Sequence, residues 1–308
     1  MKAILSSLFL ALLFAPLLSG IINRTKALFA GRTGSPLLQA YYDLFRLFNK
    51  ESVFSTTTSW VFKAAPVVIF GSTLAAACLV PALGNASLNF GIADLILLLY
   101  LLALARFFLI LSALDTGSAF EGMGASREAF FSALAEPALF LCLLNVLRTH
   151  GTESLGLALS APLAPQAAMT APVTTVLTAA ALFILLLAEN SRIPVDDPTT
   201  HLELTMIHEA MILDNSGSGL ALLEYGAAIK LWLFAVLLAR ILMPLFHPGK
   251  FWQIPVFFCL VAVLAIGIGA VESVMARLRI VKVPQLLFGA GVIALMGFFI
   301  SVTGVLIG

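Results

Sequence analysis

The charged residues of this chain are few and unevenly placed. Hydrophobic residues fill 61% of its 308 positions, while Asp, Glu, Lys and Arg together supply 11%. Yet the stretch AENSRIPVDDPTTHLELTMIHEAMILDNSGSG, residues 188–219, holds Glu189, Arg192, Asp196, Asp197, Glu203, Glu209 and Asp214, with His201 and His208. Others stand within or at the ends of apolar runs: Asp94, Arg106, Asp115, Glu121, Glu128, Glu136, Glu224, Lys230, Arg240 and Glu272. An ionised group in hydrocarbon is costly unless paired or wetted, so each is a functional candidate, and all of this second set but Arg240 are candidates for a proton or ion route.

Glu136 is the sharpest of these. Eight residues after Glu128, it shares that residue's helical face and lies roughly 12 Å into a span starting near residue 128. Pro137 follows and weakens the local backbone ladder. A freed carbonyl, a wetted notch and a carboxylate suit proton exchange; a structural ion pair with Arg106 is the alternative, and the spacing leaves both open. Arg106, about 18 Å along its helix from Asp94, needs an acid or a water-filled pocket. Lys230 sits near the middle of its span, six residues from Glu224 and off that residue's face, so its partner is expected on another helix. A buried Lys exchanges its proton readily. Arg240, near a span end, is expected to snorkel, and Glu272 reads equally as a helix anchor or a member of the route.

Catalytic signatures are missing. HEAMI, 208–212, has Ile212 where a zinc-protease motif has its second His. His201 and His208, with Glu203 and Glu209, read as polar members of an acidic loop rather than a metal site. Cys78, Cys142 and Cys259 each lie alone in apolar runs, which gives no thiolate cluster for zinc or iron–sulfur binding. No metal or cofactor is therefore expected on this chain.

The elements that must position these groups follow from hydropathy. The mean value is +1.06, and a membrane span takes about 20 apolar residues in helical form. The chain reads as an all-α integral membrane protein, one polytopic domain over 1–308, with eight transmembrane helices near 3–22, 60–82, 91–113, 128–148, 171–189, 220–246, 252–274 and 284–307. The first is long for a signal core and lacks an Ala-x-Ala-like site, so it reads as retained. Arg24, Lys26, Arg32, Arg46, Lys50, Arg127, Arg192, Arg277, Arg279 and Lys282 fall in the odd-numbered loops, against Lys2, Arg148 and Lys250 on the other side. That bias places the odd loops in the cytoplasm and both termini opposite, in a cytoplasmic (inner) membrane. A net charge of +1 leaves no nucleic-acid footprint.

In the first loop, Leu37, Leu38, Tyr41, Leu44, Phe45, Leu47 and Phe48 recur at helical spacing, with Gln39, Asp43 and Arg46 between them. This predicts a surface-lying amphipathic helix over about 36–50, with Pro36 in its first turn. Residues 149–170 read as a plain loop. No internal repeat joins the two halves, which speaks against a standalone transporter.

Four motifs then bear a resemblance. GRTGSPLLQAYYDLFRLFNKE (31–51), LDTGSAFEGMGASREAFFSALAEP (114–137), ENSRIPVDDP (189–198) and VESVMARLR (271–279) follow one another at matching places in an eight-span frame. Together they resemble the membrane subunit shared by respiratory complex I and the energy-converting nickel–iron hydrogenases, of the formate hydrogenlyase and hydrogenase-4 type in particular. The resemblance implies a subunit at the base of a peripheral arm. Hydrogenase-like large and small subunits and an iron–sulfur subunit would hold the iron–sulfur clusters and a nickel–iron centre. Antiporter-like membrane subunits would move ions. The first and fifth loops would form the docking surface, through Gln39, Asp43, Arg46, Glu189, Arg192, Asp196, Asp197, His201, Glu203, His208 and Glu209. In complex I the same loops enclose a quinone. This chain departs there: Thr199 and His201 stand where that pattern has glutamates, and only Glu203 remains. The departure favours the hydrogenase branch, coupled to H⁺ or Na⁺, over a quinone-site subunit.

Overall fold

Described in a computed structural model are residues 2–84, 90–160, 170–196, 206–246, 249 and 251–307. The helices run α1 (Lys2–Phe29), α2 (Gln39–Phe48), α3 (Trp60–Leu79), α4 (Ala93–Asp115), α5 (Ala119–His150), α6 (Leu155–Ala158), α7 (Ala171–Glu189), α8 (His208–Ile212), α9 (Gly217–Leu242), α10 (Gln253–Val274) and α11 (Val283–Ile307). All but α2, α6 and α8 are long and apolar enough to cross a membrane, which makes eight among the described residues. The protein is all-helical there, as the sequence predicts.

Two boundaries differ from the sequence reading in ways that matter. The first helix continues to Phe29 instead of ending at residue 22, and so carries Arg24 and Lys26 on its last turns. The fourth span starts at Ala119, not near residue 128. Glu121 lies in its first turn, where the positive end of the helix dipole favours an acid. Glu121, Glu128 and Glu136 thus stand on one continuous helix, and Glu136 is near its midpoint. The amphipathic helix is shorter than predicted: Pro36 precedes it, its carbonyl accepting from Gln39 N at 3.0 Å in a turn.

Lipid is as apolar as Leu, so these helices gain little from apolar burial as such and associate by close packing and interhelical polar bonds. Small residues therefore mark the crossings. Gly269 of α10 lies against Ile22 and Thr25 of α1, and Gly124 of α5 against Ala210 of α8 and Ile207 just before it. The most enclosed helix is α9, with Trp232, Leu233, Phe234, Ala235 and Val236 all buried. The amphipathic α2 buries Leu44 and packs on α1 and α9, with Tyr41 donating from its hydroxyl to the Leu13 carbonyl.

Helix ends are tied to one another. Asp115, closing α4, accepts from the backbone N–H groups of Ser59 (2.7 Å) and Phe62 (3.3 Å) and so caps the start of α3. Arg240 does not snorkel: it is buried, donating to the carbonyls of Pro81 (3.0 Å) and Gly84 (3.2 Å), with its guanidinium 5.6 Å from the Phe257 ring centre. Backbone carbonyls within reach offer a donor-rich guanidinium what water would otherwise provide.

Candidate functional site: a buried ion cluster beneath the loop surface

Carboxylates of two other helices, α5 and α7, converge on Arg106 of α4. Its Nη2 donates to both carboxylate oxygens of Glu189 at 2.6 Å, its Nη1 pairs with Glu136, and its Nε faces Glu128 at 3.5 Å. Lys230 on α9 reaches the same Glu189 at 2.8 Å and also donates to that residue's backbone carbonyl at 2.6 Å. The site is thus built from α4, α5, α7 and α9, with Glu189 between the two cations. Side-chain exposure is 2% for Glu189, 6% for Arg106, 16% for Glu128 and 49% for Glu136. Two cations against three carboxylates leave one negative charge in excess if all are ionised.

The cluster borders a cavity of about 240 Å³. Arg106, Glu128, Glu189 and Lys230 line it, together with Arg192, His208 and Glu209 and with Ser19, Thr73 and Glu224. The volume falls below the roughly 300–1,000 Å³ usual for organic ligands; several waters fit it.

Beside the cluster, two further knots hold the loop surface. Asp196 accepts from the N–H groups of Ile207 (3.2 Å) and His208 (3.1 Å), an acid at the start of α8, and pairs with Arg277 at 2.6 Å. It closes the base of the loop whose middle, with Asp197, His201 and Glu203, lies outside the described residues. Glu272, at the end of α10, pairs with Lys26 at 2.9 Å and Arg192 at 3.3 Å. Burial pushes the His208 imidazole below its ordinary value of 6.5, against the pull of Glu209 and Asp196.

The candidates named from sequence therefore fall into groups. Arg106, Glu128, Glu136, Lys230 and Glu189 come together. Glu189, which the sequence grouped with the docking loop, is the centre of the cluster because α7 ends at that residue. Lys230 finds its partner on another helix, as its spacing predicts. Glu224, His208, Glu209 and Arg192 line the cavity. Others stand apart. Asp94 sits at the opposite end of the bundle, accepting from Phe90 N at 3.1 Å and bonded to the Ser154 hydroxyl, and Asp115 caps α3. Glu121 is buried and accepts from Asp214 N at 3.3 Å. Gln39, Asp43 and Arg46 bond mainly to one another along α2, Gln39 to Asp43 at 3.0 Å and Arg46 to Asp43 at 4.0 Å. Unforeseen members are Ser19, Asn190 and Arg277; nothing in their local spacing marks them. Among the described residues no group of three or more His, Cys, Asp or Glu is arranged for a metal ion.

Fold and site together define an eight-helix membrane protein with a charged cluster buried under one loop surface. A family model described as NADH dehydrogenase matches residues 1–302, and the chain belongs to that family. Hydrogenase-4 component C of Escherichia coli (strain K12) is 36% identical over 233 residues, 76% of this chain and 72% of that protein. Formate hydrogenlyase subunit 4 of the same organism is 31% identical over 290 residues, 92% of this chain and 93% of the relative. A chain from the solved structure of the membrane-bound sulfane sulfur reductase, an archaeal respiratory membrane complex, matches with a TM-score of 0.78, covering 97% of this chain and 98% of that one at 19% identity. That likeness speaks to the fold. The family read from the four motifs is the family found.

Proposed function

We propose that this chain is the membrane anchor and coupling subunit of an energy-converting hydrogenase of the formate hydrogenlyase type. It links electron transfer in a peripheral arm to H⁺ or Na⁺ movement, and the whole of 1–308 acts as one membrane domain. The observation that carries the proposal is the charge count at Arg106. Three carboxylates and two cations, Glu136 half exposed and the rest bordering a cavity that Arg192, His208 and Glu209 also line, can load and release one proton without a large change in structure. Its similarity to a hydrogenase-4 component and a formate hydrogenlyase subunit supports the assignment to a hydrogenase-type complex.

In this reading the iron–sulfur clusters and the nickel–iron centre belong to partner subunits seated on the first and fifth loops, and antiporter-like subunits lie beside the chain in the membrane. The chain sits in the cytoplasmic membrane with both termini on the far side. An electron arriving at a cluster above the loop adds negative charge there. Glu209, His208 and Glu189 sense it, and a proton shifts within Glu128, Glu136 and Glu189, since one nearby charge moves such equilibria.

Purification from native membranes tests this. Nickel and iron–sulfur polypeptides are expected to come through with the chain. A protein that purifies alone overturns the reading. A nickel-free complex with bound quinone replaces it by a complex I-like quinone-site subunit.

A further inference from the structure

The end of the bundle away from the ion cluster holds a second buried polar group, which the coupling reading leaves unused. Asn145 of α5, 0% exposed, donates from Nδ2 to the Ala294 carbonyl of α11 at 2.9 Å, while its Oδ1 has no hydrogen-bond partner. Thr178 of α7, 1% exposed, likewise has an unpartnered hydroxyl. That is unusual beside its neighbours. Thr149 and Thr174 each return their hydroxyl to the carbonyl four residues back, both at 3.0 Å. Thr178 makes no such bond, so its hydroxyl is free for another partner.

Both groups face one glycine. A Cβ built on Gly297 of α11 would lie 3.2 Å from Asn145 Nδ2 and 3.6 Å from Thr178 Oγ1. The glycine lets both side chains come close to α11, one with an amide oxygen that needs a donor, the other with a hydroxyl that can donate and accept. Leaving either unsatisfied in a dry interior is costly, because the lost bond to water is not replaced. A water molecule bonded to both removes that cost, and a polar, enclosed place with at least two partners is where buried water is held. Buried Thr149, Thr174, Thr175 and Ser301 continue the polar lining on the same three helices. Asn145 lies five residues from the end of α5 and Thr178 seven from the start of α7, or about 8–10 Å from the helix ends.

Toward the ion cluster the lining changes. From Glu136 to Asn145 is about 14 Å along α5, and Leu139, Cys142, Leu143, Leu182 and Leu185 fill that layer, all buried. The apolar layer separates two polar regions, one on each side.

We infer that Asn145 and Thr178, where they meet at Gly297, form a bound-water site, the far-side relay of a proton path whose near-side store is the Arg106 cluster. The relay role rests on the coupling reading; the water site does not. X-ray radiolytic labelling of the purified complex, in which hydroxyl radicals form from bound water, tests the site. Leu177, whose Cβ lies 3.7 Å from the built Gly297 Cβ, is the reporter. Labelling of Leu177 is expected in the wild type, lost in Thr178→Val and Gly297→Ala, and restored in Thr178→Ser. No difference between wild type and these variants overturns the water site.

The relay is read separately, as protons moved per hydrogen evolved in proteoliposomes. Thr178→Val and Asn145→Leu are expected to lower that ratio and Thr178→Ser to recover it. Wild-type ratios in both apolar variants, with the labelling lost, overturn the relay and keep the water. A wild-type complex that moves no protons overturns the coupling reading and the relay together, while the labelling still decides the site.

Discussion

Arg106 and Glu189 are joined by one guanidinium nitrogen that touches both carboxylate oxygens at 2.6 Å, with side chains 6% and 2% exposed. The pair links the middle of α4 to the last residue of α7, and Lys230 adds α9 at 2.8 Å. Three helices are thus held through one carboxylate. The arrangement is not free stability, since desolvating these charges offsets most of what their attraction returns. It does make each member indispensable to the others.

Arg106→Ala is accordingly expected to be among the most damaging single changes in the chain. It strands Glu189, Glu128 and Glu136 with Lys230 alone. Removing one partner of a buried pair costs about 3–5 kcal/mol. Thermal unfolding of the detergent-purified complex should show a large drop, or the subunit should fail to accumulate. A melting temperature near that of the wild type would mean the cluster is far wetter than its burial indicates.

Glu136→Gln and Glu189→Gln should separate coupling from architecture. Glu136 is half exposed and holds one link to Arg106, whereas Glu189 is enclosed and holds two cations. Glu136→Gln should assemble and evolve hydrogen yet lose ion pumping; Glu189→Gln should lose assembly first. The measurement is subunit content by gel together with pumping in vesicles. Full pumping in Glu136→Gln would remove that residue from the route.

The balance between what the sequence revealed and what it hid follows from periodicity. Spans such as 171–189 were legible to the residue because no charged residue interrupts them before Glu189. The start of α5 was not. Glu121, Gly124, Arg127 and Glu128 look like loop, yet they are helical because Glu121 suits the helix N-terminus and Gly124 lets α5 approach Ile207 and Ala210. Arg106 and Lys230 were visible as charges out of place. Their shared partner was hidden, because Glu189 sits on a helix boundary where a charge is ordinary, and only the packing of α4, α7 and α9 turns it inward. Arg240 shows the same limit: its partners are the carbonyls of Pro81 and Gly84, which no side-chain pattern announces.

His208 should give the complex an acid-side stability limit. Burial lowers its imidazole from 6.5, with Lys230 and Arg192 acting in the same direction and Glu209 and Asp196 opposing. The unfolded chain therefore takes up this proton at a higher pH than the folded one. The stability tied to neutral His208 is fully present above pH 6.5 and is lost as pH falls below it. Melting temperatures across that range should decline on the acid side in the wild type and less steeply in His208→Gln. Equal slopes would mean that other groups carry the effect.

Gly217→Ala tests whether the first and fifth loops act as one platform. Gly217 opens α9 at a φ of +53°, where side chains are strained, and a Cβ there would lie 2.5 Å from the Glu51 carbonyl oxygen. That contact is backbone, so the loops would have to move apart. Around it, Val53 N donates to the Ser216 hydroxyl at 2.8 Å, and the Ser52 hydroxyl donates to the Ser216 carbonyl at 3.2 Å. These bonds fasten the end of the first loop to the end of the fifth, just below the surface where the peripheral arm is proposed to sit. The strained backbone alone costs about 1–3 kcal/mol, and the displaced hydrogen bonds add to it. Gly217→Ala should keep the membrane-embedded helices, yield less peripheral arm in pull-downs, and make the surface segment 49–54 quicker to be cut in limited proteolysis. A variant that binds the arm fully, with unchanged proteolysis, would show that the two loops dock independently.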